Sequence, residues 1–202
     1  ISNVLSTVSG TNVISPTWFS VTGNDGTISS LANTEYATAV HTAGNEVWGL
    51  IDNFNTEVDM LQVLSSSNAR QNIISQLLSY AQSAPMDGIN VDFEQVTEEE
   101  APHYLQFVRE LTLQAHSQNL VVSVDVPVPK SFNEHYNLGE LGAFADYVIM
   151  MGYDEHYRGS EEAGSVASLP FVEEGIAGMV EEIPSKKVIN AIPFYTRVCI
   201  EN

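Results

Sequence analysis

The sequence predicts an α/β fold of barrel type, a single domain over 1–202 in which about six of the eight β/α units of a complete barrel are present. Three observations carry this. Short β-branched runs alternate with segments of helical spacing, the order expected of a parallel sheet covered by helices. The runs are nearly continuous in apolar residues, as strands buried on both faces must be. No G-x-G-x-x-G turn follows any of them, which favours a (β/α)8 TIM-barrel arrangement over a dinucleotide-binding sheet.

The elements follow in order. Strands are predicted at 11–21, 46–52, 88–94, 120–128, 146–154 and 187–195, from runs such as "EVWGLID" and "LVVSVDVPV". "TGNDGTISS" (22–30) reads as a small hairpin after the first strand. A helix over 33–43 opens on Asn33 as its cap, and one over 58–81 carries Met60, Leu61, Val63, Leu64, Ile73, Ile74, Leu77 and Leu78. The segment 97–119 opens with Thr97 and Glu100 in capping-box spacing, and Tyr104, Phe107, Val108, Leu111 and Ala115 form its apolar stripe. A last helix spans 170–182.

Composition narrows the function. Charged residues make up 16% and hydrophobic ones 44%, a globular balance. With 26 acids against 7 bases the formal charge is −19, which repels phosphate backbones, so nucleic acid is excluded as a partner and anionic membrane surfaces are disfavoured. No apolar run approaches the roughly 20 residues that span a bilayer. The lone Cys199 rules out an internal disulfide and reads as an incidental thiol. The start, "ISNVLSTVSG", has no initiator Met or signal peptide and reads as a piece of a longer protein.

In such barrels the C-terminal strand ends build the active site. Here Asp52, Glu94, Asp125, Tyr153, Asp154 and Tyr195 fall at or near strand ends. The stretch "MDGINVDFEQV" is the most telling, because strand parity sends Asn90, Asp92 and Glu94 to one face and Ile89, Val91 and Phe93 to the other. Two neighbouring carboxyls repel when both are charged, so one holds its proton longer, as a general acid for a glycosidic oxygen must. Glu94, nearest the mouth, is the expected acid and Asp92 the partner that tunes it. An isolated D-x-E of this brevity is also compatible with a loop anchor. A metal site needs further ligands, and His41, His103, His116, His135 and His156 show no ligand spacing, so no metal or other cofactor is expected.

"DGINVDFE" resembles the D-x-x-D-x-D-x-E signature of glycoside hydrolase family 18, the chitinase-like barrels, and "MGYD" resembles that family's M-x-Y-D. Several further segments ("NVISPTWFS", "VWGLIDNF", "IPFYTR") resemble the bacterial spore-cortex-lytic and spore-germination glycosylases, so the likeness runs along nearly the whole chain. The resemblance implies a retaining, substrate-assisted glycosidase acting on N-acetylglucosamine polymers, peptidoglycan before chitin, in a secreted, cell-wall or spore-associated bacterial setting. It implies Glu94 as acid and then base, Asp92 as the partner of the substrate's acetamido N–H, and Tyr153 as the donor to the acetamido oxygen. Asp154, Met151, Tyr195 and Arg197 are implied to line the sugar site.

The chain departs from the signature at Asn90, where the family has a proton-exchanging Asp; Asn90 is expected to donate a hydrogen bond to Asp92 instead. Asp87 has the wrong parity for the inward face and reads as a structural residue at the strand's start. Trp18 is a candidate for stacking on a sugar, with core packing the alternative, whereas Trp48 reads as core. Matched to the family, the six strands are its second to seventh, so the first and eighth would lie outside 1–202, leaving open edges suited to self-association. The rival reading is a sugar-binding, lectin-like module or an inactive fragment; lectins of this type usually lose the acid Glu that this chain keeps.

Overall fold

The computed structural model describes residues 10–198; Cys199 lies outside the described residues. Strand β1 (Val13–Ile14) is followed by β2 (Thr17–Val21) and β3 (Ile28–Ser30). The first predicted strand is thus two short ones, separated at Ser15–Pro16, because a proline has no N–H to give a ladder. The expected hairpin is present: β3 runs antiparallel to β2, and Gly26 at its turn takes a φ of +82°. A Cβ there would collide with the Ala69 carbonyl oxygen, so glycine is required twice over.

Helix α1 (Thr34–Thr42) starts where Asn33 Oδ1 accepts the Tyr36 N–H at 2.8 Å, and β4 (Glu46–Asp52) follows. The helix predicted over 58–81 is two helices, α2 (Met60–Ser65) and α3 (Ser67–Ser83). Ser66 breaks it with an extended backbone and then caps α3 through a 3.3 Å bond from Ala69 N–H, the task serine does best. After β5 (Gly88–Asp92), Thr97 and Glu100 form the expected reciprocal cap ahead of α4 (Ala101–His116). Strand β6 (Val121–Pro127) leads into a 3-10 turn (Ser131–Tyr136) and α5 (Leu138–Phe144), neither of which the sequence pattern announced. Then come β7 (Tyr147–Met151), α6 (Leu169–Glu182) and β8 (Val188–Ala191).

The sheet order is β3-β2-β4-β5-β6-β7-β8, with β1 also on β4, and every pairing except the hairpin is parallel. The barrel is open among the described residues, with β3 and β8 as its edges. The helix-facing side carries Ile51, Ile89, Val91, Val122, Val124, Val126, Val148 and Met150, all buried. Phe93 continues this face, stacked on Phe107 at 5.4 Å. The α4 stripe from Tyr104 to Ala115 is buried as patterned.

The inward side is floored by Trp48, which stacks on Tyr147 at 5.5 Å over Gly88; a Cβ on Gly88 would lie 2.8 Å from the indole. Asp87 accepts the Val47 N–H at 2.8 Å and meets the His41 ring, tying the start of β4 to β5 at the end opposite the site.

Candidate active site

Parity and register bring the carboxylates together. Asp52 is the register partner of Asp92, so these two residues end β4 and β5 side by side. Asp52 is buried and held by Ser20 Oγ at 2.7 Å and Phe54 N–H at 3.2 Å. Asp92 is half-buried, and its Oδ1 is enclosed without a hydrogen-bond partner among the described residues. Burial, then the charges of Glu94 and Asp52, push Asp92 up to about 6.

Glu94 stands two residues beyond Asp92, at the mouth. Its backbone is clamped by the Asn53 side chain, which accepts the Glu94 N–H and donates to the Glu94 carbonyl, both at 2.9 Å. Past it, Gln95 takes a φ of +54°, and Val96 is anchored through its N–H to Tyr136 Oη at 3.2 Å and through its carbonyl to the His135 ring at 2.7 Å. The acid therefore sits on a backbone fixed from both sides. Burial raises its pKa and the charge of Asp154 adds to this. Asp92 and Glu94 are both raised first by burial, and the repulsion between neighbouring carboxyls adds to this at Asp92.

Asn90 does not serve Asp92. Its Nδ2 donates to Asp125 Oδ2 at 2.9 Å and its Oδ1 accepts from Ser123 Oγ at 2.7 Å, because β6 presents Ser123 and Asp125 to the same inward layer. At 3% exposure Asn90 lies beneath the groove and is a support, not a ligand contact. Asp125 is buried too, and burial followed by the Asp92 charge pushes it up to about 8.

Tyr153, just past β7, is half-buried with its hydroxyl pushed up to about 12, by burial first and then by Asp125, Asp92 and Glu94. It therefore keeps its proton and can donate. Asp154 takes a φ of +59° and receives bonds from Tyr195 Oη and Arg197 Nη2, each at 2.6 Å. Slight burial works upward on its pKa, but those two donors hold it below the usual range. Tyr195 and Arg197 thus meet the site through Asp154.

Three adjoining hollows meet at Glu94. One of about 430 Å³ is lined by Met151, Tyr153, Asp154, Tyr157 and Phe171, and one of about 320 Å³ by Phe132, His135, Tyr136 and Met151. The third, about 380 Å³, lies on the opposite side among Asn53, Phe54, Asn55 and Met60. A larger hollow of about 650 Å³ between His156–Gly164 and Arg197 touches neither Asp92 nor Glu94, and chemistry gives it no claim to the reaction.

Trp18 is not in the groove. It is 6% exposed and packs edge-on against Tyr36 of α1 at 5.5 Å, where a wide apolar ring fills the gap between β2 and that helix. Residues that the sequence reading missed include Asn53, Phe132 and Tyr157, the two aromatics being exposed beside the acid. Their signal was position: each follows a strand end. Among the described residues no group of three or more His, Cys, Asp or Glu is placed to hold a metal ion, and no helix is long and apolar enough to cross a membrane.

Comparison with known proteins is consistent along the chain. The family model "Glycosyl hydrolases family 18" matches residues 44–201. "Putative sporulation-specific glycosylase YdhD" of Bacillus subtilis is 31% identical over 146 residues, covering 70% of this chain and 34% of that protein. The cortical fragment-lytic enzyme of Bacillus anthracis is 26% identical over 175 residues, 82% of this chain and 40% of that one. The crystal structure of YdhD superposes with a TM-score of 0.84 at 26% identity, covering 91% of this chain and 63% of that one. A chitinase from Chromobacterium violaceum shares the fold, with a TM-score of 0.84 at 24% identity over 95% of this chain and 64% of that one. The chain spans less than half the length of the curated relatives it matches.

Proposed function

This chain belongs to glycosyl hydrolase family 18, and on that footing we propose that it is the catalytic part of a retaining, substrate-assisted glycosidase acting on N-acetylglucosamine-containing glycans, peptidoglycan before chitin. The observation that carries the reading is the placement of Glu94, a carboxyl with raised proton affinity on a doubly anchored backbone, where hollows from both sides of the sheet mouth meet. An acid that must protonate a bond inside a polymer needs sugar-sized space on either side of it.

Glu94 protonates the glycosidic oxygen as the bond to C1 breaks. The carbonyl oxygen of the same sugar's 2-acetamido group attacks C1 and forms a cyclic oxazolinium ion. Asp92, ionised above about pH 6, accepts the acetamido N–H and balances the positive charge of that ring. Tyr153, protonated throughout the neutral range, donates to the acetamido oxygen and holds it for attack. Water then enters at C1, giving its proton to the Glu94 carboxylate, and the configuration is retained through two inversions. Asp154, fixed by Tyr195 and Arg197, lines the sugar site with Met151.

The names of the relatives, a sporulation-specific glycosylase and a cortical fragment-lytic enzyme, support a cell-wall substrate and a spore-associated or secreted setting. The test compares this chain and the full parent protein on N-acetylglucosamine oligomers and purified peptidoglycan. Turnover that falls by about a hundredfold or more in Glu94→Gln is the expected result. Binding by the parent without turnover identifies a lectin and ends the enzyme reading. Comparable turnover on a fully deacetylated polymer ends the substrate-assisted step, since that polymer carries no internal nucleophile.

A further inference from the structure

Beneath the groove, two buried oxygens lack partners in a way the mechanism above does not use. Asp92 and Asp125 lie one residue beyond the Val91–Val124 register pair, so they point inward from neighbouring strands about 4.8 Å apart. Asp92 Oδ1 and Asp125 Oδ1 are both enclosed, and neither has a hydrogen-bond partner among the described residues. The other oxygen of Asp125 is taken, by the Asn90 amide at 2.9 Å, and Ser123 Oγ holds that amide in place at 2.7 Å. Two adjacent acceptors without donors are an expensive arrangement for a folded chain, and a single added proton satisfies both.

We propose that Asp125 carries a proton shared with Asp92 across the β5–β6 pair, as an Oδ1–H···Oδ1 bond, and that Asp125 is thereby a positioning residue acting on substrate through Asp92. The proposal rests on the reading of Asp92 as the acceptor of the acetamido N–H. The shared proton fixes the rotation of the Asp92 carboxylate and leaves its second oxygen for the substrate. It also holds the pair to one negative charge.

Among the described residues, the titratable groups that act on the pair offer no positive charge to neutralise a second negative one. Asp52 faces it from β4, Glu94 from beyond β5, Tyr153 from beyond β7 and Tyr104 from α4, and none is a cation. From β7 the register neighbour of Asp125 is the apolar Ile149. Burial and this setting push Asp92 to about 6 and Asp125 to about 8, and protons leave such a pair in two steps that belong to both groups.

The test needs no substrate. Carboxyl carbons of 13C-aspartate-labelled protein are followed by NMR from about pH 5 to about pH 9, spanning the range where ordinary aspartates no longer titrate. The wild type should show an aspartyl carboxyl that keeps its proton beyond neutrality. Asp125→Asn should abolish that upper step and leave the lower one, and Asp92→Asn should move the upper step down. A wild type with no aspartyl step above neutrality overturns the proposal, as does an upper step that survives in Asp125→Asn. For positioning, Asp125→Ala should lower kcat by about tenfold to a hundredfold with little change in KM, and Asp125→Asn, which still offers an N–H to Asp92, should recover most of the loss. An unchanged kcat in Asp125→Ala overturns the positioning role. Absence of turnover in the wild type would instead fault the glycosidase reading, and the titration would stand apart from it.

Discussion

Replacing Asp125 by Asn should change how folding stability depends on pH, and the size of the change follows from the site. The carboxyl is 8% exposed and pushed from the ordinary 3.8 to about 8, by burial first and the Asp92 charge second. Folding therefore takes up a proton that the unfolded chain has released, and stability falls as pH rises. The contribution is whole below about 3.8 and is lost as pH climbs through that value to about 8. At about 1.4 kcal/mol per pKa unit, this one group removes about 4 kcal/mol between about pH 5 and about pH 8. Asparagine keeps the shape and still accepts from Asn90, but it has no charge to bury. The difference in unfolding free energy between Asp125→Asn and wild type should thus grow in favour of the variant by about 4 kcal/mol over that interval. Urea unfolding followed by tryptophan fluorescence reads it, because Trp18 and Trp48 are both buried. A difference that stays flat to within about 0.5 kcal/mol would mean that Asp125 ionises like an exposed carboxylate, and the account of the inward layer would fail.

Three other outcomes follow from the same geometry. Asp154→Asn should move the basic limb of the pH–rate profile to lower pH by removing a charge that raises Glu94; a basic limb that stays put would leave burial as its sole cause. Gly88→Ala should cost about 1–3 kcal/mol, read by thermal unfolding, because the new methyl meets the Trp48 ring at 2.8 Å and the Val121 carbonyl at 3.0 Å; an unchanged midpoint would mean the barrel floor can shift. Arg70 joins α3 to α4 by donating to Glu110 at 2.9 and 3.0 Å and to the Leu64 carbonyl at 2.6 Å. Arg70→Ala should cost about 3 kcal/mol by urea unfolding, with the doubly apolar Arg70→Met/Glu110→Leu losing less, and equal losses would show that packing of the arginine stem is what matters.

What could be read in the sequence was whatever depends on a single strand or helix. Alternation alone assigned Asn90 and Asp92 to one face and Ile89, Val91 and Phe93 to the other, and the backbone agrees. The α4 stripe and both halves of its cap were legible for the same reason. The break at Ser66 was not, because Ser65, Ser66 and Ser67 neither favour nor forbid helix strongly, and the decision rests on a cap that forms only once the chain turns. Helix α5 escaped notice because it has seven residues, contains Gly139 and Gly142, and starts from Asn137 in a left-handed conformation that closes one turn and caps the next. So short a segment offers no apolar period to detect.

Contacts between strands were the larger loss, and they bear on the chemistry. The sequence shows Asn90 two residues from Asp92, which invites pairing the two, but residues two apart on a strand are roughly 6–7 Å apart while residues abreast on neighbouring strands are about 4.8 Å apart. Distance therefore favours β6 as the source of Asn90's partners, and it finds Ser123 and Asp125 there. Parity along "SVDV" puts those two on one face, a pattern the sequence reading did not use, and the register sets them beside "INVD". Once that register is known, a signature read along one strand becomes a carboxyl pair spread over two. Burial and the Asp92 charge raise Asp125, and Asp125 in turn helps raise the Tyr153 hydroxyl, so the inward layer extends the motif's electrostatics beyond its own strand.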